Sequence, residues 1–272
     1  MSENKTVADR LMERLETAIE AAELNDHPVF ALCAEPLPPV RLPTLFAGDD
    51  APLVKNFNSP PSLRYAGFDL EHSGNSRIIQ GELRRALIPG IKILELWRDG
   101  ALIYAVEATW QPCWGDPPDG SLRVNPLALS EPVYLFAELS DLIYREATPK
   151  PAQIRYWVSF RRLESTGKFA WLGRKTLDDA FHDTGFTRSR QDATAPDMDK
   201  IVSWEKPSID AGAVAYEILR EVYNWFGISD DGIPYTKKLP NGEMAIDPQA
   251  LKNAGQPMKF DPAQSSSAPS PS

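Results

Sequence analysis

The chain has 272 residues, of which 42% are hydrophobic and 25% charged, and its formal net charge is −9. This composition excludes a wholly disordered protein, and no apolar run approaches the ~18 residues of a membrane-spanning helix. The charged N-terminus does not resemble a signal peptide, and two cysteines, Cys33 and Cys113, are too few for a disulfide framework or a four-cysteine zinc site. We therefore expect a chain of the reducing cytoplasm with no membrane partner.

An amphipathic helix is predicted near the start of the chain, over residues 5–23. Its apolar residues recur at spacings of three and four and form one narrow stripe, made of Val7, Leu11, Leu15, Ala18 and Ala22. A stripe this narrow needs a surface to pack on, and three are open: the chain's own domain, a second copy, or a further domain. We predict that this helix contacts a protein partner or mediates self-association.

Prolines divide the chain into regions. Of the 25 prolines, eight lie between Pro28 and Pro61 and six between Pro240 and Pro271. Apolar residues run through the first group, which predicts an extended connector packed on the core, whereas the second group predicts a disordered tail. The predicted organisation is an N-terminal helix over 1–25, a connector over 26–62, a core domain over 63–235 and a tail over 236–272.

Segments with β-strand signals, separated by turn residues, predict the first strands. They lie at 29–33, 63–70, 77–85, 91–97 and 101–108. The last two flank Arg98-Asp99-Gly100, and an Asp-Gly pair between apolar runs predicts a tight β-hairpin, because its turn requires positive φ. This hairpin is the clearest strand pair in the sequence.

Three more helices are predicted after these strands. The first begins at Pro126 or at Pro132, because proline suits a first turn, and continues to about Ala147. The second runs from its capping residue Thr176 to Gly185, which ends it. The third spans 211–226, with Asp210 as its cap and Gly227 as its end.

A second hairpin is predicted over residues 153–175. Apolar residues alternate with polar ones in its first arm, a turn follows at 165–168, and a return strand follows at 169–172. One more strand is predicted over 201–205. The elements together predict an α+β fold in which antiparallel β hairpins are packed by two to three helices.

The histidines and cysteines offer one weak metal-site candidate. His182 follows Asp178 and Asp179 by four and three residues, so a helix would bring one of these carboxylates to the face of His182. That arrangement suits a metal-dependent hydrolase, and the alternative is a solvated first helical turn. Cys33 is interpreted as buried, and Cys113 has no histidine near it in sequence. No common phosphate-binding, dinucleotide-binding or hydrolase motif occurs, so we predict no catalytic residue and no cofactor.

A basic and aromatic block lies between Lys150 and Lys175. Its seven basic residues accompany one acidic residue, Glu164, which gives a local charge of +6 in a chain of −9. An exposed face of this kind can neutralise phosphates and stack bases. The alternatives are an ordinary sheet with solvated arginines, or a complement to acidic surface in the same chain. The predicted contacts to DNA or RNA are Arg155, Trp157, Arg161, Arg162, Lys168, Trp171, Arg174 and Lys175.

Six short phrases carry a family resemblance. They span Ala8–Arg14, Leu42–Phe46, Pro60–Leu70, Leu96–Ile103, Val124–Leu129 and Tyr223–Ile228. As a set they resemble the region that follows a Schlafen-type AlbA-like DNA-binding domain in bacterial proteins, over roughly residues 5–235. None of them belongs to the AlbA-like domain itself, so no functional residue of that domain is carried over. The resemblance implies an accessory or sensor module in stress or phage-defence settings, with the N-terminal helix as the link to that domain.

We therefore predict a non-catalytic bacterial interaction or sensor module, accessory to a nucleic-acid-binding or defence system. Two alternatives stay open. One is a nucleic-acid-binding protein that uses the basic and aromatic block, and the other is a metal-dependent hydrolase around His182. The exposure of the block and the surroundings of His182 distinguish the three functions.

Overall fold

The computed structural model describes residues 7–63, 68, 76–113, 121–164, 170–172, 189–190, 197–206 and 208–254. Within this part of the chain, helices pack on a seven-stranded antiparallel sheet, which confirms the predicted α+β fold. The helices are α1 (Val7–Ala21), α2 (Pro52–Asn58), α3 (Pro126–Tyr144), α4 (Ala211–Trp225) and α5 (Pro248–Ala254). None of these helices is long and apolar enough to cross a membrane.

Seven strands form the main sheet. They are β1 (Val29–Leu37), β2 (Arg77–Ile79), β3 (Leu83–Ile88), β4 (Lys92–Trp97), β5 (Leu102–Glu107), β7 (Gln153–Arg161) and β10 (Met198–Trp204). Their order across the sheet is β10-β7-β1-β5-β4-β3-β2, so β10 and β2 are the edge strands. The two small sheets are formed by β6 (Arg123–Val124), β8 (Trp171–Leu172) and β9 (Ser189–Arg190), and by β11 (Thr236–Lys238) and β12 (Met244–Ile246).

The hairpin predicted around Asp99 is confirmed, with β4 and β5 as its arms. Gly100 has a φ of +92°, and its N–H donates to the Trp97 carbonyl at 2.9 Å. A Cβ atom at this position would also lie 2.6 Å from the side chain of Val40. The turn therefore requires glycine both for its backbone conformation and for the close approach of the segment after β1.

The hairpin predicted over 153–175 is wrong. Strand β7 pairs with β1 on one side and with β10 on the other, so neither of its edges is free for a return strand. Trp171 and Leu172 form β8 instead, which pairs with β6 and β9. The alternation that identifies β7 is confirmed, but a local pattern does not reveal partners that lie far away in sequence. Residues 165–169, including the predicted turn, lie outside the described residues, as does the predicted helix from Thr176 to Gly185.

The predicted boundary between a connector over 26–62 and a core over 63–235 is also wrong. Strand β1 lies inside the predicted connector, yet it is an interior strand of the main sheet between β5 and β7. Its Pro36 lies beyond Ala34, the last residue that pairs with β5, so the strand has only β7 as a neighbour there. A sheet tolerates proline where a strand has one neighbour, because fewer ladder hydrogen bonds are at stake.

The predicted tail over 236–272 is folded in its first half. Residues 236–254 form β11, β12 and α5, in which Ala245, Ile246 and Leu251 are buried. The carbonyl of Ile246 lies 2.7 Å from the position of a Cβ atom on Gly212, so glycine allows β12 to pack closely on α4. Few apolar residues suffice because a hairpin on a helix buries one face only. Residues 255–272 lie outside the described residues.

Two of the other predicted strands are different in the structure. The run 77–85 is a hairpin rather than one strand, because β2 and β3 flank a turn in which Gln80 and Gly81 both have positive φ. Within the run 63–70, Leu63 and Phe68 are described, and neither lies in a strand. Phe68 is buried against Tyr104, with ring centroids 4.7 Å apart. A predicted strand segment that contains a buried aromatic side chain therefore need not be a strand.

Helices α3 and α4 cover one face of the main sheet. Helix α3 begins at Pro126 rather than at Pro132, because the Asn125 side chain accepts hydrogen bonds from two backbone N–H groups of the first turn at 2.9 and 3.2 Å. Asp210 caps α4 as predicted and accepts from the N–H of Ala213 at 3.0 Å. The shared core contains Phe30, Tyr104, Phe136, Tyr156, Phe160 and Tyr223, each fully buried.

Two buried hydroxyl groups fix α3 on the sheet. The hydroxyl of Tyr156 in β7 lies 2.8 Å from that of Ser140 in α3, and the hydroxyl of Tyr144 donates to the Gly100 carbonyl at 2.9 Å. A buried polar group must be paired to avoid a desolvation penalty, so these bonds specify one position of the helix. The last turn of α3 is thereby held beside the β4–β5 turn.

Helix α1 packs on the opposite face of the sheet, over β1, β5 and β4. The predicted stripe is buried at Leu11, Leu15, Ala18 and Ala22, in a cluster that includes Ala31, Cys33, Ile93 and Ile103. Arg14 forms two 2.9 Å bonds to the carboxylate of Asp99 and lies 4.2 Å from the centre of the Trp97 ring. The stripe therefore packs on the chain's own sheet, the first of the three predicted alternatives.

Candidate interaction surface on strands β7 and β10

Strand β7 has one buried face and one half-exposed face. Ile154, Tyr156, Val158 and Phe160 are buried under α3 and α4. On the opposite face, as predicted, lie Arg155, Trp157 and Arg161, which are half-buried, and Ser159, which is fully buried. Helix α1 packs mainly over the neighbouring strands on this side, so the half-exposed face of β7 continues outward onto β10.

The two arginines of this face are bound to carboxylates. Arg155 lies 2.7 Å from Glu35 of β1, and Arg161 contacts Glu16 of α1 and lies 3.9 Å from Asp199 of β10. Burial raises the pKa of Glu35, and the bond from Arg155 opposes this shift. A nucleic-acid phosphate would have to displace these carboxylates. Both arginines therefore fit the alternative in which the basic block complements acidic groups of the same chain.

Of the five other predicted nucleic-acid contacts, the structure describes two. Arg162 is exposed just after β7, has a φ of +56°, and donates its backbone N–H to Asp197 at 2.9 Å. The backbone of Trp171 belongs to β8, in a different sheet. The last three predicted contacts, Lys168, Arg174 and Lys175, lie outside the described residues. Nucleic-acid binding by the full set of eight residues stays a prediction.

The metal-site candidate also stays a prediction, because Asp178, Asp179 and His182 lie outside the described residues. Among the residues that the structure does describe, no three His, Cys, Asp or Glu side chains form a group able to hold a metal ion. Cys33 and Cys113 are both free and buried, as interpreted for Cys33, and burial raises the pKa of each thiol well above its ordinary value. Neither thiol is poised as a nucleophile, because the reactive form is the thiolate.

Strand β10 carries a feature that the sequence analysis misses. Met198 and Trp204 at its ends are buried, whereas Ile201 at its centre is 44% exposed. Ile201 pairs with Trp157 of β7, and the Trp157 indole N–H donates to Asp199 at 3.1 Å. The signal is present in the sequence: Ile201 is out of phase with Met198 and Trp204, so it belongs to the polar face of the strand.

The outer edge of β10 has no strand partner within the described part of the chain. Asp199, Lys200, Ile201 and Ser203 are all exposed, so side chains on both faces of this edge contact solvent. An uncovered edge strand with an apolar residue at its centre is a template for pairing with another chain. We define the β10 edge as residues 199–203 together with the adjoining Trp157.

No family model, curated protein or solved structure matches this chain.

Proposed function

We propose that the chain is a non-catalytic interaction module and that the β10 edge pairs with the β10 edge of a second copy. The observation that carries this proposal is the exposed Ile201 at the centre of β10, an edge strand of the main sheet as far as the structure describes the chain. An antiparallel pairing of two identical strands has two-fold symmetry, so the same surface serves both copies. The main sheets of the two copies would then form one continuous sheet across the symmetry axis.

The register of this pairing follows from the side chains of β10. With Ile201 on the two-fold axis, Ile201 lies opposite its own copy, Asp199 opposite Ser203, and Lys200 opposite Val202. Within β10 itself no two like charges face one another in this register, and the only acidic residues that come opposite one another are Asp197 and Glu205, just beyond the two ends of the strand. Centring on Lys200 would instead oppose two ammonium groups on the axis. Asp199 and Lys200 are the only charged residues of β10, so the strand itself is neutral although the whole chain carries −9.

The half-exposed face of the sheet strengthens the same contact. Because Ile201 pairs with Trp157 inside each copy, the proposed register aligns Trp157, Ile201 and their symmetry mates in one apolar row across the axis. Aromatic and β-branched neighbours on adjacent strands are favourable cross-strand pairs. The row replaces two small exposed patches by one buried patch, which gives the pairing a hydrophobic contribution beyond its backbone hydrogen bonds.

The cellular setting of this module is part of the proposal. The resemblance to the region after an AlbA-like domain implies a bacterial accessory or sensor role beside a nucleic-acid-binding or defence system. A dimer formed through β10 would bring two copies of such a neighbouring domain together, as symmetric nucleic-acid binders require. Two free, buried cysteines suit the reducing cytoplasm. Contact with a protein partner, or self-association, through the N-terminal helix stays a separate prediction.

The substitution Ile201→Lys is expected to weaken the dimer at least tenfold. It places two ammonium groups opposite one another on the two-fold axis, and like charges directly opposite destabilise strand pairs. Size-exclusion chromatography with light scattering, over loading concentrations of about 1 to 100 µM, measures the effect, because a contact along one strand is expected to be weak. The wild-type chain is expected to shift from monomer to dimer within this range.

The chain provides a matched control in Ile78 of β2, the other edge strand of the sheet. Ile78 is 46% exposed, close to the 44% of Ile201, so Ile78→Lys changes charge and exposure equally. The Ile78→Lys variant is expected to dimerise like the wild type. A wild-type chain that stays monomeric at every concentration contradicts the proposal, and so does a dimer that is lost through Ile78→Lys but survives Ile201→Lys.

A further inference from the structure

A cavity of about 270 Å³ lies beside the end of β10, on the face covered by α3 and α4. Its walls come from the last turn of α3, the start of β7 and the loop between β10 and α4. This volume is close to the lower end of the range of roughly 300 to 1,000 Å³ for small-molecule pockets, so the cavity suits one small organic molecule. The residues that carry the argument are Arg145, Lys150, Ile154, Trp204, Lys206 and Ile209.

Three cations line this cavity in a chain that is acidic overall. They are Arg145, Lys150 and Lys206, and Asp141 is the one carboxylate among the lining residues. Arg145 is paired with Asp141. The Lys150 ammonium has the Tyr144 carbonyl as its neighbour, at 3.5 Å. The lining therefore carries more positive than negative charge, and Lys150 has no carboxylate partner within the described part of the chain.

Lys206 binds a carboxylate that a ligand can replace. Its ammonium lies 2.5 Å from Glu243, and both side chains are more than 40% exposed. Bonds from Lys206 and from Asn241 lower the pKa of Glu243. Exposed ion pairs contribute little net stability, so exchanging Glu243 for a ligand anion has a small cost. Glu205, the other nearby acid, accepts a hydrogen bond from Gln153 at 3.1 Å.

The apolar wall of the cavity is rigid. Trp204 is 5% exposed and its indole N–H donates to the Ser208 carbonyl at 3.0 Å, which fixes the ring. The Lys206 ammonium lies 4.7 Å from the centre of this ring, so the aromatic face holds the cation at the rim of the cavity. Ile154 is buried beside it. A fixed apolar edge below a cationic rim suits a ligand with a compact apolar body and an anionic head.

We propose that this cavity binds a small organic oxyanion, a carboxylate or phosphate monoester on a compact apolar body. The head would lie between Lys150 and Lys206, and the body would contact the small areas that Trp204 and Ile154 expose to the cavity, 5% and 3% of their surfaces. All lining residues belong to one copy of the chain, so this inference stands apart from the proposed dimer. A monomeric chain would bind the same ligand.

Equilibrium dialysis of the full chain against three probes tests this proposal. The probes are 1-naphthoate, 1-naphthyl phosphate and the neutral 1-naphthol, which share one ring and differ in the head. At least one of the two anions is expected to bind with a Kd below about 1 mM, at least fivefold tighter than 1-naphthol. Comparison of the two anions identifies the head that the cavity prefers.

Two lysines provide a matched pair of variants. Lys206 and Lys237 each bind one carboxylate and are each 47% exposed, but Lys237 is not a lining residue of the cavity. Lys206→Gln and Lys150→Gln are each expected to raise the Kd of the bound anion at least threefold. Lys237→Gln is expected to change this Kd less than twofold. Absence of anion binding at 1 mM, equal binding of 1-naphthol, or an equal loss through Lys237→Gln would overturn the proposal.

Discussion

Replacing Arg85 by methionine is expected to lower the free energy of unfolding by about 3 kcal/mol at pH 7. Glu95 of β4 is fully buried, and its carboxylate lies 2.6 Å from the guanidinium of Arg85 and accepts from the Trp97 indole at 3.0 Å. Removing one partner of such a pair leaves an uncompensated charge in a medium of low polarity. The effect lies at the low end of the range for buried pairs because the Arg85 side chain stays 17% exposed.

The loss is expected to depend on pH. Burial raises the pKa of Glu95 above its ordinary value of 4.5, although Arg85 opposes the shift. A carboxyl group with a raised pKa contributes its stability below 4.5 and loses it as the pH rises through the folded-state pKa. Without Arg85 the pKa of Glu95 rises further, and the folded chain retains the proton to a higher pH. Urea unfolding should therefore show a smaller deficit at pH 4.5 than at pH 7.

Two further variants separate this ion pair from charge removal in general. Arg220→Met breaks an exposed pair with Glu217 and is expected to cost less than about 1 kcal/mol. The double variant Arg85→Met/Glu95→Gln is expected to recover at least half of the loss, because a neutral amide still accepts from Trp97 and leaves no buried charge. A double variant no more stable than Arg85→Met would contradict this interpretation.

The substitution Leu15→Ala is expected to lower the free energy of unfolding by about 3 kcal/mol. Leu15 lies at the centre of the α1 stripe, is fully buried, and belongs to the cluster that α1 forms with the sheet. Truncating it leaves a cavity between helix and sheet, which Arg14 and Asp99 prevent from closing fully by holding α1 in place. Urea or thermal unfolding of the full chain measures the change.

Thr17 of the same helix is the control for this prediction. Thr17 is exposed, and its hydroxyl donates to the Glu13 carbonyl. Thr17→Ala is expected to change stability by less than about 0.5 kcal/mol, because alanine favours the helix and no packing is lost. Equal effects of Leu15→Ala and Thr17→Ala would show that the stripe does not pack on the sheet in solution.

Elements with a local physical cause could be predicted from the sequence. The spacing of Leu11, Leu15 and Ala18 identifies α1, and the Asp99-Gly100 turn identifies the β4–β5 hairpin. Asp210 marks the start of α4 because its side chain completes the first turn. Each of these signals acts within a few residues, so the printed sequence contains the whole interaction.

Strand partners and domain limits could not be predicted in this way. β1 is assigned to a connector because proline is frequent around it. Its place between β5 and β7 makes it an interior strand. β7 reads as the arm of a local hairpin, and its partners lie more than 30 residues away. Segment 236–254 is predicted as a tail because it has few apolar residues, although these suffice to bury one face of a hairpin. In each case packing between distant segments decides the structure.

The candidate surface was predictable where a local pattern determines it, and not where distant segments do. Alternation places Arg155, Trp157 and Arg161 on one face of β7, which the structure confirms. The carboxylates of Glu35 and Glu16 that pair with these arginines lie more than 100 residues away in sequence. The sequence therefore overestimates the free positive charge of this face, and it does not reveal that Ile201 lies on an edge strand of the main sheet.

Cross-linking through Ile201→Cys tests the proposed β10 pairing most directly. In the proposed register the new cysteine lies opposite its own copy, where Cα atoms are roughly 4.5 to 5.5 Å apart, within the range of about 4.4 to 6.8 Å that a disulfide spans. Cys33 and Cys113 are buried and should not compete. Mild oxidation is expected to give a disulfide-linked dimer of Ile201→Cys, and much less of the matched Ile78→Cys variant. An Ile201→Cys chain that stays monomeric, or that cross-links no faster than Ile78→Cys, would contradict the pairing.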